Sequence, residues 1–103
     1  MKNIAIIGAG LIGRSWAIVF ARAGYPVMLY DNFDGAVTKA VALISLGLAE
    51  LKEYGLIDED PVIILGRITP TQSLEEAVSS AFYVQENTSE NIDIKKEVFK
   101  TLD

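Results

Sequence analysis

Gly8, Ala9, Gly10, Leu11, Ile12 and Gly13 make a Gly-x-Gly-x-x-Gly run, and Asp31 follows it close to the ~20-residue spacing of a dinucleotide fingerprint. Three glycines at this spacing mean little alone; context gives them meaning. Ile4–Ile7 before the run is continuously apolar, as a strand covered on both faces requires. Leu11–Ala23 after it reads as an amphipathic helix. In that setting Gly8 permits the tight turn from strand to helix. Gly10, lacking a Cβ, lets a pyrophosphate approach the backbone, and Gly13 lets the helix pack close to the sheet. The N–H groups of Leu11 and Ile12 would point at the phosphates, and the helix dipole favours the negative charge by roughly 0.3–1 kcal/mol. Asp31 would accept hydrogen bonds from the adenosine ribose hydroxyls. Its carboxylate also opposes a 2′-phosphate, at a cost of up to roughly 4 kcal/mol per charge pair at ~4 Å and intermediate dielectric. Asn32, Phe33 and Asp34 bring no offsetting cation. The pattern points to NAD over NADP. FAD fits less well, because no second flavin segment follows.

These residues need a framework of alternating strands and helices. Ile12, Trp16, Val19, Phe20 and Ala23 mark one apolar face of the first helix. Gly24 stands where a helix C′ residue belongs, and Pro26 cannot continue the helix. Val27–Tyr30 reads as a second strand ending at Asp31. Asp34 is placed to cap a long second helix with a stripe of Val37, Val41, Ile44, Leu48 and Leu51, closed by Gly55. Leu43 and Leu46 lie off that stripe, so this helix is expected to pack on more than one side. Asp58-Glu59-Asp60-Pro61 opens the apolar piece Val62–Leu65, with Pro61 suited to a first helical position; a strand is the alternative. Arg67–Thr71 reads as a strand that Pro70 confines to a sheet edge. Ser73-Leu74-Glu75-Glu76 begins a short capped helix reaching about Ser79. Ala81–Gln85 is a fourth strand, and Asn91–Leu102 a last helix with Ile94, Val98 and Leu102 on one face. This alternation specifies an α/β fold: a Rossmann-type parallel, doubly wound sheet with strand order 3-2-1-4.

Composition narrows the chemistry. The 103 residues are 50% hydrophobic, enough for one domain and against disorder. The chain has no cysteine and no histidine. A disulfide framework, a Ser-His-Asp triad, a cysteine nucleophile and a histidine acid–base are therefore all excluded, and a metal would find only carboxylates. No catalytic residue and no metal site are expected. The net charge of −5, without a basic run, makes nucleic acid and anionic membranes poor partners. Met1-Lys2 and the apolar stretch after it superficially resemble a secretory signal, but glycines interrupt the stretch and Arg14 and Arg22 follow. The stretch is far below the ~20 residues needed to span a bilayer. The cytoplasm is the expected location.

The residues Ile4–Ala17 and Leu29-Tyr30-Asp31 resemble the N-terminal domain of the NAD-dependent 3-hydroxyacyl-CoA dehydrogenases. The run Gly13-Arg14-Ser15-Trp16-Ala17 most resembles the lambda-crystallin branch, whose members act as L-gulonate 3-dehydrogenases. Glu75–Val78, Val84–Glu90 and Asp93–Phe99 follow the same family order. The resemblance implies NAD as cofactor, contacted by the loop residues Leu11 and Ile12, by Asp31, and after the fourth strand by Asn87, Glu90 and Lys95. From the residues alone, Glu90 reads as an N-terminal helix charge and Lys95 as solvated.

The resemblance further implies hydride transfer from a 3-hydroxy acid or 3-hydroxyacyl thioester and a place in fatty acid metabolism. Family members are about three times this length. Their catalytic serine, histidine and glutamate, the asparagine that helps hold the substrate, their last nucleotide-domain strands and their helical substrate and dimerisation domain correspond to sequence after Asp103. Residues 1–103 are thus expected to be a partial NAD-binding domain that binds cofactor without turnover. Two other readings are a stand-alone NAD- or ADP-binding module and a crystallin-like structural protein. The strand Ala81–Gln85 is expected to be an exposed edge, through which copies would associate as a homodimer or larger assembly.

Overall fold

A computed structural model describes residues 2–33 and 35–87. The elements run β1 (Asn3–Ile7), α1 (Leu11–Arg22), β2 (Val27–Tyr30), α2 (Ala36–Glu53), α3 (Pro61–Leu65), β3 (Ile68–Thr71), α4 (Leu74–Ser79) and β4 (Ala81–Glu86). The four strands form one parallel sheet in the order β3-β2-β1-β4, as expected. The helix expected over residues 91–102 lies outside the described residues, as do Asp34, Glu90 and Lys95.

Strand alternation sorts the core into two layers. Ile4, Ile6, Val27, Leu29 and Ile68 face Ala17, Ala21, Ala40, Ile44, Leu48 and Ile64 of α1, α2 and α3. Ala5, Ile7 and Tyr30 face Leu74, Ala77 and Val78 of α4. β1 is central and buried on both sides, which its unbroken isoleucine and alanine run allows. Pro70 sits on β3 at the sheet edge, where its missing N–H costs no ladder bond.

The helix ends follow local chemistry. At the C-terminus of α1, Gly24 takes a φ of 101°; its N–H donates to the Ala21 carbonyl and that of Tyr25 to Phe20. Gly55 does the same for α2, with a φ of 72°. Both are Schellman closures that require a left-handed residue. Val62–Leu65 resolves as helix: Pro61 opens α3, and the Asp60 carboxylate accepts the Val62 N–H at 2.9 Å. Ser73 caps α4 by accepting the Glu76 N–H at 3.1 Å.

Three expectations are corrected. The first concerns the face of α1. Gly13, Ala17 and Ala21 turn inward, whereas Ile12, Trp16, Val19 and Ala23 are exposed and Phe20 is half-buried. A helix must come close to lie flat on a sheet, so its small residues take the inner face and its bulky ones the flanks. The second is the start of α2: its N-cap position is Gly35, at a φ of 77°, with no side-chain cap. The third is its packing. Val37, Ala40, Ile44 and Leu48 are buried while Leu43 and Leu46 are exposed, so among the described residues α2 packs on one side.

Candidate functional site

Strand register assembles the site. Ile7 of β1 pairs with Tyr30 of β2 and Glu86 of β4, and Tyr30 pairs with Thr71 of β3. One residue beyond this row stand Gly8, Asp31, Asn87 and Gln72. They therefore lie side by side at the carboxyl ends of the strands, where β1 parts its two neighbours' connections, which is where ligands bind in open α/β sheets.

Each glycine of the loop meets a distinct demand. Gly8 has a φ of 102°, a conformation that favours glycine, and its N–H donates to the Tyr30 carbonyl at 2.7 Å. A Cβ on Gly13 would overlap the Gly8 carbonyl and press on the Asn87 amide, so this glycine sets how closely α1 approaches β1. Gly10 differs. Its φ of −74° and ψ of −168° suit any residue, and a Cβ there would meet nothing within 4 Å. The fold itself makes no demand for glycine at position 10, whereas an anion lying against the backbone would.

As N-cap of α1, Gly10 brings no side-chain cap, and the first turn holds no acidic residue. The N–H groups of Leu11 and Ile12 have no intrahelical acceptor there. Their side chains are apolar, so the polar groups these residues offer a ligand are backbone N–H groups. The opening is a fit for pyrophosphate.

Asp31 stands across from it. One carboxylate oxygen accepts the Ala9 N–H at 2.7 Å and the other the Phe33 N–H at 2.9 Å. An ionised carboxylate offers about four acceptor positions, so two hydroxyls can still be received while the loop is held. Beside it a cavity of about 170 Å³ is lined by Asp31, Asn32, Phe33, Val37, Thr38 and Gln72. Asn87 closes the other side. Its backbone N–H and its side-chain amide both donate to the Ile7 carbonyl, at 2.9 and 3.1 Å.

The structure thus brings together Gly8, Gly10, Leu11, Ile12, Gly13, Asp31 and Asn87. Sequence reasoning missed Gln72, which counting from the strand ends would have found once the register was known. Among the described residues no group of three His, Cys, Asp or Glu side chains could hold a metal ion, and no helix is long and apolar enough to cross a membrane.

A parallel sheet with an uncapped, glycine-lined helix start opposite an acid at the end of β2 defines a dinucleotide-binding domain. The particular family is shown by comparison. Residues 3–103 match the model of the 3-hydroxyacyl-CoA dehydrogenase NAD binding domain. The chain belongs to that family, whose cofactor is NAD. It is 38% identical to the lambda-crystallin homolog of Rattus norvegicus over 98% of this chain and 32% of that protein. It is 34% identical to the L-carnitine dehydrogenase of Streptomyces griseus over 100% of this chain and 30% of that protein. The structure of 3-hydroxybutyryl-CoA dehydrogenase from Escherichia coli superposes with a TM-score of 0.84 at 31% identity, covering 98% of this chain and 21% of that one. The chain spans about a third of the length of the curated relatives it matches.

Proposed function

We propose that this chain forms the adenosine side of the NAD site in an oxidoreductase acting on a 3-hydroxy acid or 3-hydroxyacyl thioester, and that residues 1–103 bind cofactor without turnover of their own. The observation that carries the reading is the uncapped N-terminus of α1, lined by a glycine the fold does not need, facing the Asp31 carboxylate. On this reading Leu11 and Ile12 donate backbone N–H groups to the pyrophosphate. Gly8 and Gly13 shape the loop, and Gly10 leaves room. Asp31 accepts the ribose hydroxyls, and the cavity beside it takes the base. Asn87 supports the loop from the β4 side, and Glu90 and Lys95 add contacts from beyond the described residues.

The chemistry NAD supplies when bound is acceptance of a hydride. This chain has no histidine or cysteine to take the hydroxyl proton, so its share is to bind and orient. The substrate class is carried over from relatives named for 3-hydroxybutyryl-CoA and L-carnitine. Turnover of hydroxyacyl thioesters in the cytoplasm is the setting that fits. The test is calorimetric titration with NAD, followed by an assay with NAD and 3-hydroxybutyryl-CoA. Saturable binding with no NADH formed supports the proposal. Absence of binding refutes the first half, and NADH production by the 103-residue chain refutes the second.

We also propose that copies associate along β4. Among the described residues this strand ends the sheet order, and Phe82 and Tyr83 are 65% and 45% exposed. Tyr83 continues an aromatic row with Phe20 and Trp16 of α1, each ring 5.7 Å from the next. Exposed apolar edges of this kind pair readily with a second copy.

A further inference from the structure

We propose that Arg14 is a cofactor-binding residue whose guanidinium engages the pyrophosphate of the bound dinucleotide; this rests on the NAD-binding reading above. Arg14 is the fourth residue of α1. A cation there opposes the helix dipole, which favours negative charge at its N-terminus. The other two arginines of this layer obey the opposite logic. Arg22 lies in the last turn of α1 and donates to the Leu56 carbonyl. Arg67 donates to the Ala21 carbonyl near the same helix end and pairs with Glu59. Among the described residues Arg14 has no carboxylate within ion-pair distance. Among the described residues, then, Arg14 is a charge set against the local field with no carboxylate partner, and such a position marks a site where a local rule yields to function.

Geometry gives the direction of that function. Helical side chains lean toward the N-terminus, and Nη1 of Arg14 reaches back to donate to the Ala9 carbonyl at 3.3 Å. The guanidinium is therefore held over the loop whose Leu11 and Ile12 N–H groups have no intrahelical acceptor. That single bond is long and uses one of five N–H donors. Among the described residues the remainder of the planar fork makes no other hydrogen bond, and it can meet two phosphate oxygens, a match lysine cannot reproduce. Ala9 is held from both sides, its N–H by Asp31 and its carbonyl by Arg14. The two charges that set the loop thus also meet the two polar parts of the adenosine half, Asp31 the ribose and Arg14 the diphosphate.

The test compares NAD, ADP and adenosine as ligands of the whole chain, with wild type, Arg14→Gln and Arg14→Lys, by NMR titration alongside thermal melts. Arg14→Gln should weaken NAD and ADP by about tenfold, the loss expected for a charge-assisted contact, and leave adenosine unchanged. Its ADP affinity should also depend less on salt than that of wild type. Arg14→Lys keeps the charge and should lose less. If Arg14→Gln does not fold, Arg14→Lys decides, with a loss for ADP and none for adenosine expected. Equal losses for ADP and adenosine would show that Arg14 only shapes the loop, and no loss for either would show that it is solvated; both overturn the proposal. Failure of wild type to bind NAD would overturn the cofactor reading itself.

Discussion

Gly10 and Gly13 occupy one loop, yet replacing them should have opposite consequences. Gly13→Ala drives a Cβ into the Gly8 carbonyl, a backbone overlap that should cost about 1–3 kcal/mol or more of stability, as forced overpacking does. Gly10→Ala has open space and an ordinary backbone conformation. It should change stability by less than about 1 kcal/mol, the scale of an N-cap preference, while lowering NAD affinity. Chemical denaturation paired with NAD titration checks both. Asp31 combines the two roles. Asp31→Ala removes the acceptor of the Ala9 and Phe33 N–H groups and should cost about 1–3 kcal/mol of stability as well as cofactor affinity. Wild type should bind NAD over NADP by about tenfold or more, from like-charge repulsion alone, and Asp31→Ala should narrow that gap. Equal wild-type affinities would remove Asp31 from the ribose. The glycines and Asp31 are legible in the sequence because their mutual spacing is a local pattern, although backbone geometry imposes glycine only at positions 8 and 13. The reach of Arg14 over the loop and the place of Gln72 beside Asp31 are not legible there. The first depends on where a long side chain folds back, and the second on a strand register that no local pattern states.

At the scale of elements, α1 shows what periodicity reads and what it misses. Gly24 and Pro26 announced the end of the helix, because left-handed backbone and a missing N–H are local facts. The inner face was misread because a stripe of large apolar residues is the conspicuous signal, whereas contact with a sheet selects the small ones, Gly13, Ala17 and Ala21. The same limit applies to Leu43 and Leu46 of α2, whose exposure depends on what else the fold brings near. Between elements, Arg67 ties the residue before β3 to α1 and, through Glu59, to the approach to α3. The hydrogen bond from Arg67 holds the Glu59 carboxyl below the ordinary carboxylate range, its charge adds to this, and desolvation works against it. A carboxyl depressed in the folded state stabilises the fold above its unfolded value, and that contribution is lost as the pH falls through the depressed one. Glu59→Gln should therefore lower the melting temperature slightly at neutral pH, consistent with a partly exposed pair. The gap should close as the solution is made acidic. A gap that persisted at low pH would show that Glu59 acts through packing instead.

For the whole molecule, strand order was legible because alternating β and α patterns and a glycine turn leave few parallel topologies open. How copies meet is a separate matter. The proposed pairing along β4, which ends the sheet among the described residues, predicts concentration-dependent association in sedimentation, and Phe82→Glu, which puts a charge on that strand, should shift it toward monomer. A monomer at all concentrations would count against pairing along β4. The central claim is that the carboxyl ends of the strands receive NAD, and it has a rival location in the same molecule. A cavity of about 240 Å³ opens at the amino ends, lined by Asn3, Pro26, Val27, Thr69 and Ser80 among others. Titrating isotopically labelled protein with NAD while following the backbone amides separates the two. Saturable shifts led by Ala9, Leu11, Ile12 and Phe33, and weakened in Asp31→Ala, are the predicted result. Shifts centred on Asn3, Val27 and Thr69, or no saturable shifts at all, would contradict it.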